Sequence, residues 1–241
     1  MPASPADFYR RQLLWLLAGL LLLLWLERVP ALDLRLQALF FDPASGHFPL
    51  QNARWLDILN HRLAKYLIVA AGVVLGWRGW RRRDYRQLLA VAVMLLATAL
   101  VSWLKQKSAH SCPWDLQAFG GHASRFGLFD AVPADAGPGR CFPGGHASAG
   151  FSLLALGYWL RPSRPALARR LFWLGAAAGM LMGLGQMLRG AHFLSHNLWS
   201  GWLVWLACCL LFAGHDLLWQ PWRQRLAARL PPPAKPGLSK G

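Results

Sequence analysis

Two stretches of the chain gather the side chains that can do chemistry. Residues 105–146 hold Lys105, Lys107, His110, Cys112, His122, Arg140, Cys141 and His146; residues 189–197 hold Arg189, His192, Ser195, His196 and Asn197. Cations mixed with imidazoles suit an anionic substrate, and phosphate is the anion such a set holds best, through charge-assisted hydrogen bonds. Pro143-Gly144-Gly145-His146-Ala147-Ser148 reads as a tight turn that opens a helix. The two glycines permit the turn, the free N–H groups of a helix start bind phosphate oxygens, and a histidine there can protonate a leaving oxygen. His192 and His196 are four apart, so a helix would put them on one face. Two chemistries fit that spacing: a zinc pair completed by His146, or a nucleophilic His192 oriented by its neighbour. The sequence of 144–148 recurs at 120–124, but no apolar run follows His122, which therefore reads as a loop residue.

The elements that position these residues must be built from a very apolar chain. Of 241 residues, 55% are hydrophobic and only 15% charged, yet Lys and Arg outnumber Asp and Glu 26 to 10, for a net charge of +16. The apolar content excludes a disordered chain, and four cysteines are too few for a disulfide-rich secreted domain. The charge density is too low for an ordinary soluble globule. Stretches free of Asp, Glu, Lys and Arg predict six membrane spans at 12–26, 66–77, 87–104, 141–160, 171–188 and 190–215, close to the roughly 20 residues a bilayer requires. The fold expected is therefore all-α, an integral membrane bundle of six transmembrane helices over 1–218, with a basic, proline-rich cytoplasmic tail over 219–241. Residues 55–63 have helical apolar spacing and are expected to lie in the interface. Arg10 and Arg11 before the first span imitate a signal peptide, but 27–30 offer no clean cleavage site, so an uncleaved anchor is expected.

Six spans put both termini on one side. That side carries sixteen of the 26 cations but only three of the ten acids, so the positive-inside rule makes it cytoplasmic. Most of the +16 thus reads as a topology signal, and no nucleic-acid partner is needed to explain it. Both histidine-bearing stretches then fall on the opposite face, periplasmic in a bacterial inner membrane. Cys112 and Cys141 bracket the outer loop there, where a disulfide is permitted; such a bond would fix Lys105 relative to His146. Cys208 and Cys209 lie inside the last span and read as small packing residues.

Three blocks taken together resemble the type 2 phosphatidic acid phosphatase superfamily of membrane phosphatases, whose pattern is K-x6-R-P, P-S-G-H and S-R-x5-H-x3-D. Here Lys105 precedes Cys112 and Pro113, the second block is Pro143-Gly144-Gly145-His146, and the third carries Gly185, Gln186, His192 and His196; the likeness covers roughly 87–214. Five positions depart from the pattern: Cys112 stands for an arginine, Gly144 for a serine, Gly185 and Gln186 for the Ser-Arg pair, and His196 for the aspartate. The resemblance implies a phosphatase acting on a lipid-borne phosphate or pyrophosphate, without metal or other cofactor. It implies catalytic His192, His146 and His196: His192 attacks phosphorus to give a phosphohistidine, His146 protonates the leaving alkoxide and later activates water, and His196 orients the nucleophile. Phosphate would be held by Lys105, Arg189 and the Gly144 and Gly145 backbone, with Lys107 and Arg140 as further cations. The expected partners are a phosphorylated lipid or polyprenyl substrate and the bilayer itself; phosphate transfer to an acceptor other than water shares the first step. A zinc-dependent hydrolase using His146, His192 and His196 stands as the alternative enzyme. A haem-carrying subunit stands as the non-enzymatic one, although haem ligands sit within spans rather than at span ends.

Overall fold

The computed structural model describes residues 4–229; the proline-rich part of the expected tail, with Lys235 and Lys240, lies outside the described residues. The described chain is helical, with only two isolated β-bridges, Asp42 to His47 and Leu116 to Ala123. Helix α1 spans Pro5–Glu27, α2 Pro30–Ala38, α3 Arg54–Arg82, α4 Tyr85–Lys107, α5 Gly145–Ser152, α6 Leu154–Leu160, α7 Pro165–Leu188, α8 Leu194–Ala213 and α9 Gln220–Arg229. Five helical stretches are long and apolar enough to cross a membrane, those of α1, α3, α4 and α7 and the continuous run Leu194–Leu226. Each outruns its charge-free window because the terminal cations ride on the same helix, with long stems that reach toward water.

Local signals set the ends. Ser4 accepts the Asp7 N–H ahead of Pro5, Asp84 accepts the Gln87 N–H to start α4, and Arg83 closes α3 in the left-handed region at φ 54°. These are ordinary caps of helix starts and ends. Two helices run further than their apolar windows. A π-helical stretch, Asp57–Leu63, joins residues 55–63 onto α3. A second π-helical stretch, Gly214–Trp219, carries α8 into the largely exposed α9.

The expected fourth span is two short helices, α5 and α6, of eight and seven residues, hinged at Leu153. They run through the middle of the bundle. Ala147, Phe151, Leu154, Ala155 and Tyr158 are buried there against Val93, Ala97 and Val101 of α4 and Val204, Cys208 and Phe212 of α8. Small residues bring α7 close. A Cβ on Gly150 would stand 2.5 Å from the Gly179 nitrogen, and one on Gly175 would stand 2.8 Å from the Leu154 nitrogen. Apolar lipid does not push helices together, so such close backbone packing does much of the work that hydrophobic burial does in water. The outward surface carries Trp15, Trp25, Trp77, Trp80, Trp103 and Trp173, all more than half exposed.

The end bearing the termini is locked by a buried ionic knot. Asp216 accepts from Tyr9 Oη at 2.6 Å and pairs with Arg86 and, at 3.5 Å, Arg161. Its side chain is only 6% exposed. Arg86 also donates to the Tyr158 and Trp159 carbonyls. One carboxylate thereby ties α1, α4, α6 and the end of α8. At the opposite end, α2 and the loops 39–53 and 108–144 form a cap over the helix ends, held by Phe41, Phe48, Phe119 and Phe193.

Candidate active site

The cap end gathers the histidines. Lys105 lies in the last turn of α4, His146 in the first turn of α5, His192 in the bend between α7 and α8, and His196 in the first turn of α8. The His146 and His192 ring centroids are 6.3 Å apart, and His192 and His196 are 5.7 Å apart. A Cβ on Gly145 would stand 3.9 Å from Lys105 Nζ, so the ammonium sits over the start of α5. That end of the helix also offers unpaired N–H groups, and together they make an anion cradle.

The bend holding His192 is fixed from both sides. The Gly190 carbonyl accepts the Trp114 N–H at 3.1 Å, and the Ala191 N–H donates to the Gln186 carbonyl at 2.9 Å. Gly190 takes φ 73° and packs directly against the Phe48 ring, so both the backbone angle and the space there require glycine. Asp33 of α2 reaches across to accept from both the N–H and the hydroxyl of Ser195, capping α8 from another helix. Burial pushes the Asp33 carboxyl above its usual range against those two bonds.

Cys112 and Cys141 are joined by a disulfide, with Cα atoms 5.1 Å apart. It pins the start of the outer loop to its end, and Cys141 Sγ lies 3.5 Å from His192 Nδ1. His192 is 1% exposed. Burial holds its imidazole well below the usual histidine range, and the nearby charges of His196, Lys105 and His146 act the same way; a Cys141 main-chain hydrogen bond opposes them. The ring is therefore neutral at neutral pH, the form with a nucleophilic lone pair.

The departures from the sequence pattern have physical causes. A Cβ on Gly144 would stand 2.6 Å from Asn197 Oδ1, so Asn197 occupies the room a serine hydroxyl would need. Asn197 is fully buried, and neither amide atom finds a partner. A side chain on Gly185 would run into Asn60, which itself donates to the Met182 carbonyl at 2.9 Å. Gln186 is buried with Nε2 unbonded. Arg189 faces away from the histidines: its Nε donates to the Gln51 carbonyl at 3.1 Å and it lies 3.8 Å from Asp57. Lys107 and Arg140 are exposed on the rim, and His122 is exposed on the cap. His110 stacks on Phe126 at 4.3 Å beside a small cavity of about 30 Å³ that Ser195 and His196 also border. The Asn60, Asn197 and Asp33 contacts bridge distant segments, and no local spacing announces them.

A larger cavity of about 710 Å³ opens between α3 and α4. Lys105, Gly145 and His146 line it together with Lys65, Thr98, Ser102, Gln106, Ser148 and Ser152, and Ile68, Val69, Val73, Val91, Met94 and Leu95 give it an apolar wall. His192 and His196 are not among its lining residues.

Ligand atoms of Cys141, His192 and His196 lie within 4.8 Å of one another. His146 is not in that set, and Cys141 Sγ is committed to the disulfide. The gathered set therefore differs from the three-histidine zinc site considered above.

The family model of the PAP2 superfamily matches residues 86–219. Among solved structures, this fold is similar to a transmembrane PAP2 type phosphatidylglycerolphosphate phosphatase from Bacillus subtilis, with a TM-score of 0.52 at 18% identity. The likeness covers 84% of this chain and 96% of that one. No curated protein matches the chain.

Proposed function

Starting from the finding that the chain belongs to the PAP2 superfamily, we propose that it is a membrane phosphatase that hydrolyses a phosphate monoester or pyrophosphate on a lipid. The observation that carries this reading is the 710 Å³ cavity, which joins an apolar wall of Ile68, Val69, Val73, Val91, Met94 and Leu95 to Lys105, Lys65, Gly145 and His146. A lipid tail fits the apolar wall and an anionic head the cations. Phosphatidic acid, phosphatidylglycerol phosphate and a polyprenyl pyrophosphate share that chemistry.

In the proposed reaction the phosphoryl group lies at the His146 end of the cavity, its oxygens on Lys105 Nζ and the Gly145 backbone, and it moves inward to meet His192, whose ring centroid stands 6.3 Å from that of His146. Neutral His192 attacks phosphorus. A P–N bond forms, the P–O bond to the lipid breaks, and His146 gives its proton to the departing alkoxide. His146 then takes a proton from water, whose oxygen attacks phosphorus, and the P–N bond breaks to release phosphate. Charge on the equatorial oxygens is met by the ammonium and the helix start, where positioned cations have most effect. No step uses a metal. With a histidine at 196, the Cys141 main chain takes the orienting role that a carboxylate would play. Both termini are assigned to the cytoplasm and the site to the periplasmic side of a bacterial inner membrane, on the charge distribution.

The test is phosphate release by the purified protein in excess chelator, beside His192→Ala and His146→Ala. Both variants should lose at least about 10³-fold, and the wild type should carry an acid-labile phosphoryl label that His192→Ala lacks. Full activity in His192→Ala refutes the nucleophile; activity abolished by chelator favours zinc.

A further inference from the structure

We propose that reduction of the Cys112–Cys141 disulfide converts the nucleophile pocket into a binding site for a soft divalent cation of the zinc class, built from Cys141 Sγ, His192 and His196, and that occupancy switches the phosphatase off. The binding half stands on geometry alone; the switch rests on the function proposed above.

The three ligand atoms lie within 4.8 Å of one another and all three residues are buried. Tetrahedral zinc, with Zn–S of about 2.3 Å and Zn–N of about 2.0–2.1 Å, sets its ligands roughly 3.3–3.6 Å apart. Cys141 Sγ and His192 Nδ1 already stand at 3.5 Å. On binding, the remaining gaps, none above 4.8 Å, would have to close by side-chain rotation. Independent observations favour a ligand here. His196 Nδ1 is buried with no hydrogen-bond partner. The backbone that presents the ligands is held without help from the disulfide: the Cys141 N–H donates to the His110 carbonyl at 3.0 Å, and the Gly144 N–H donates to the His196 carbonyl at 2.9 Å. Thiolate with two imidazoles selects zinc or copper over magnesium or calcium.

The chemistry balances with a dithiol as reductant. It supplies two electrons and two protons and leaves as its own disulfide, and Cys112 and Cys141 become thiols. Cys112 is only half-buried and is the sulfur a reductant can reach. The Cys141 thiol then loses its proton to solvent as the metal–sulfur bond forms. A neutral imidazole has one nitrogen with a free lone pair, and the other carries hydrogen. Coordination takes that lone pair from His192, so nothing is left to attack phosphorus.

The test uses Co²⁺ with the full-length protein in detergent. Cys112→Ser leaves Cys141 a free thiol without any reductant. It should show a thiolate-to-cobalt charge-transfer band and tetrahedral d–d bands that saturate at one cobalt per chain. Wild type reduced with a phosphine should show the same bands, which covers the case in which Cys112→Ser fails to fold. Oxidised wild type should show none, and Cys141→Ala should abolish them even though Cys208 and Cys209 remain. Equimolar Zn²⁺ should lower phosphate release by Cys112→Ser at least tenfold, with recovery in chelator. Absence of the bands in both reduced forms, or their presence in oxidised wild type or in Cys141→Ala, overturns the site. Bands without inhibition overturn the switch. The bands are read without substrate, so an error in the proposed reaction leaves this reading untouched.

Discussion

The closest backbone approach in the bundle gives a prediction that links packing to catalysis. Gly150 sits one turn along α5 from His146, and a Cβ there would stand 2.5 Å from the Gly179 nitrogen and 2.6 Å from the Ala178 carbonyl carbon. Both obstacles are backbone, so no side chain can swing aside. Ordinary contact begins near 3.4 Å, which means Gly150→Ala must drive α5 from α7 by about 0.9 Å. Overpacking of this kind costs about 1–3 kcal/mol. His146 moves with α5, whereas His192 is held by the bend beyond α7, so their separation changes by a similar amount. A misplacement of about 1 Å at reacting groups costs on the order of 100-fold in rate. Gly150→Ala should therefore lower kcat for phosphate release by about 30–100-fold while the protein still folds. The assay pairs phosphate release with thermal unfolding, and Gly214→Ala is the control, because a Cβ there meets nothing within 4 Å. The control should melt at or slightly above wild type, since alanine is about 0.5–1 kcal/mol better than glycine inside a helix. Gly150→Ala with activity within twofold of wild type refutes the argument.

Other perturbations have equally definite outcomes. Asp216→Ala leaves Arg86 and Arg161 as buried charges without their carboxylate and should destabilise by about 3–5 kcal/mol, read as a large drop in melting temperature. Arg86→Met combined with Asp216→Leu should recover part of that loss. Asp33→Ala removes the acceptor for the Ser195 N–H and hydroxyl; loss of a helix cap costs about 0.5–2 kcal/mol, and the rate should fall with it because the same turn carries His196. For pH, the folded His192 sits well below its unfolded value of about 6.5, so below that value the unfolded chain binds more protons than the folded one. Stability should be fully present above pH 6.5 and decline as pH falls, by up to about 1.4 kcal/mol per unit from this group; His192→Ala should flatten the curve, and an unchanged slope would refute the assignment.

How far the sequence announced this site depends on the reach of each contact. Lys105, His146 and His192 are legible because each sits in a short block at a helix end, where local spacing decides geometry. Cys112 and Cys141 are legible because both flank one loop. Arg189 was not, because proximity along the chain to His192 says nothing of direction, and Asp57 and the Gln51 carbonyl, over 130 residues away, decide it. The reasons for Gly144 and Gly185 were equally hidden: each is small because Asn197 or Asn60 fills the space, and only packing shows that. The join between residues 55–63 and the span at 66–77 was hidden because the charged Lys65 ends the charge-free window, whereas the backbone runs on as one helix through a π-helical stretch.

The outward-facing indoles give the molecule a spectroscopic character of its own. Trp15, Trp25, Trp77, Trp80, Trp103 and Trp173 are all more than half exposed on the bundle surface, and Trp219 and Trp222 join them near its end. In a bilayer these rings meet acyl chains and headgroups rather than the protein interior. The intrinsic ultraviolet emission of this chain is then set largely by the lipid around it. Brominated acyl chains should quench most of it while the fold stays intact, and a change of lipid should move the emission maximum more than a substitution in the core does.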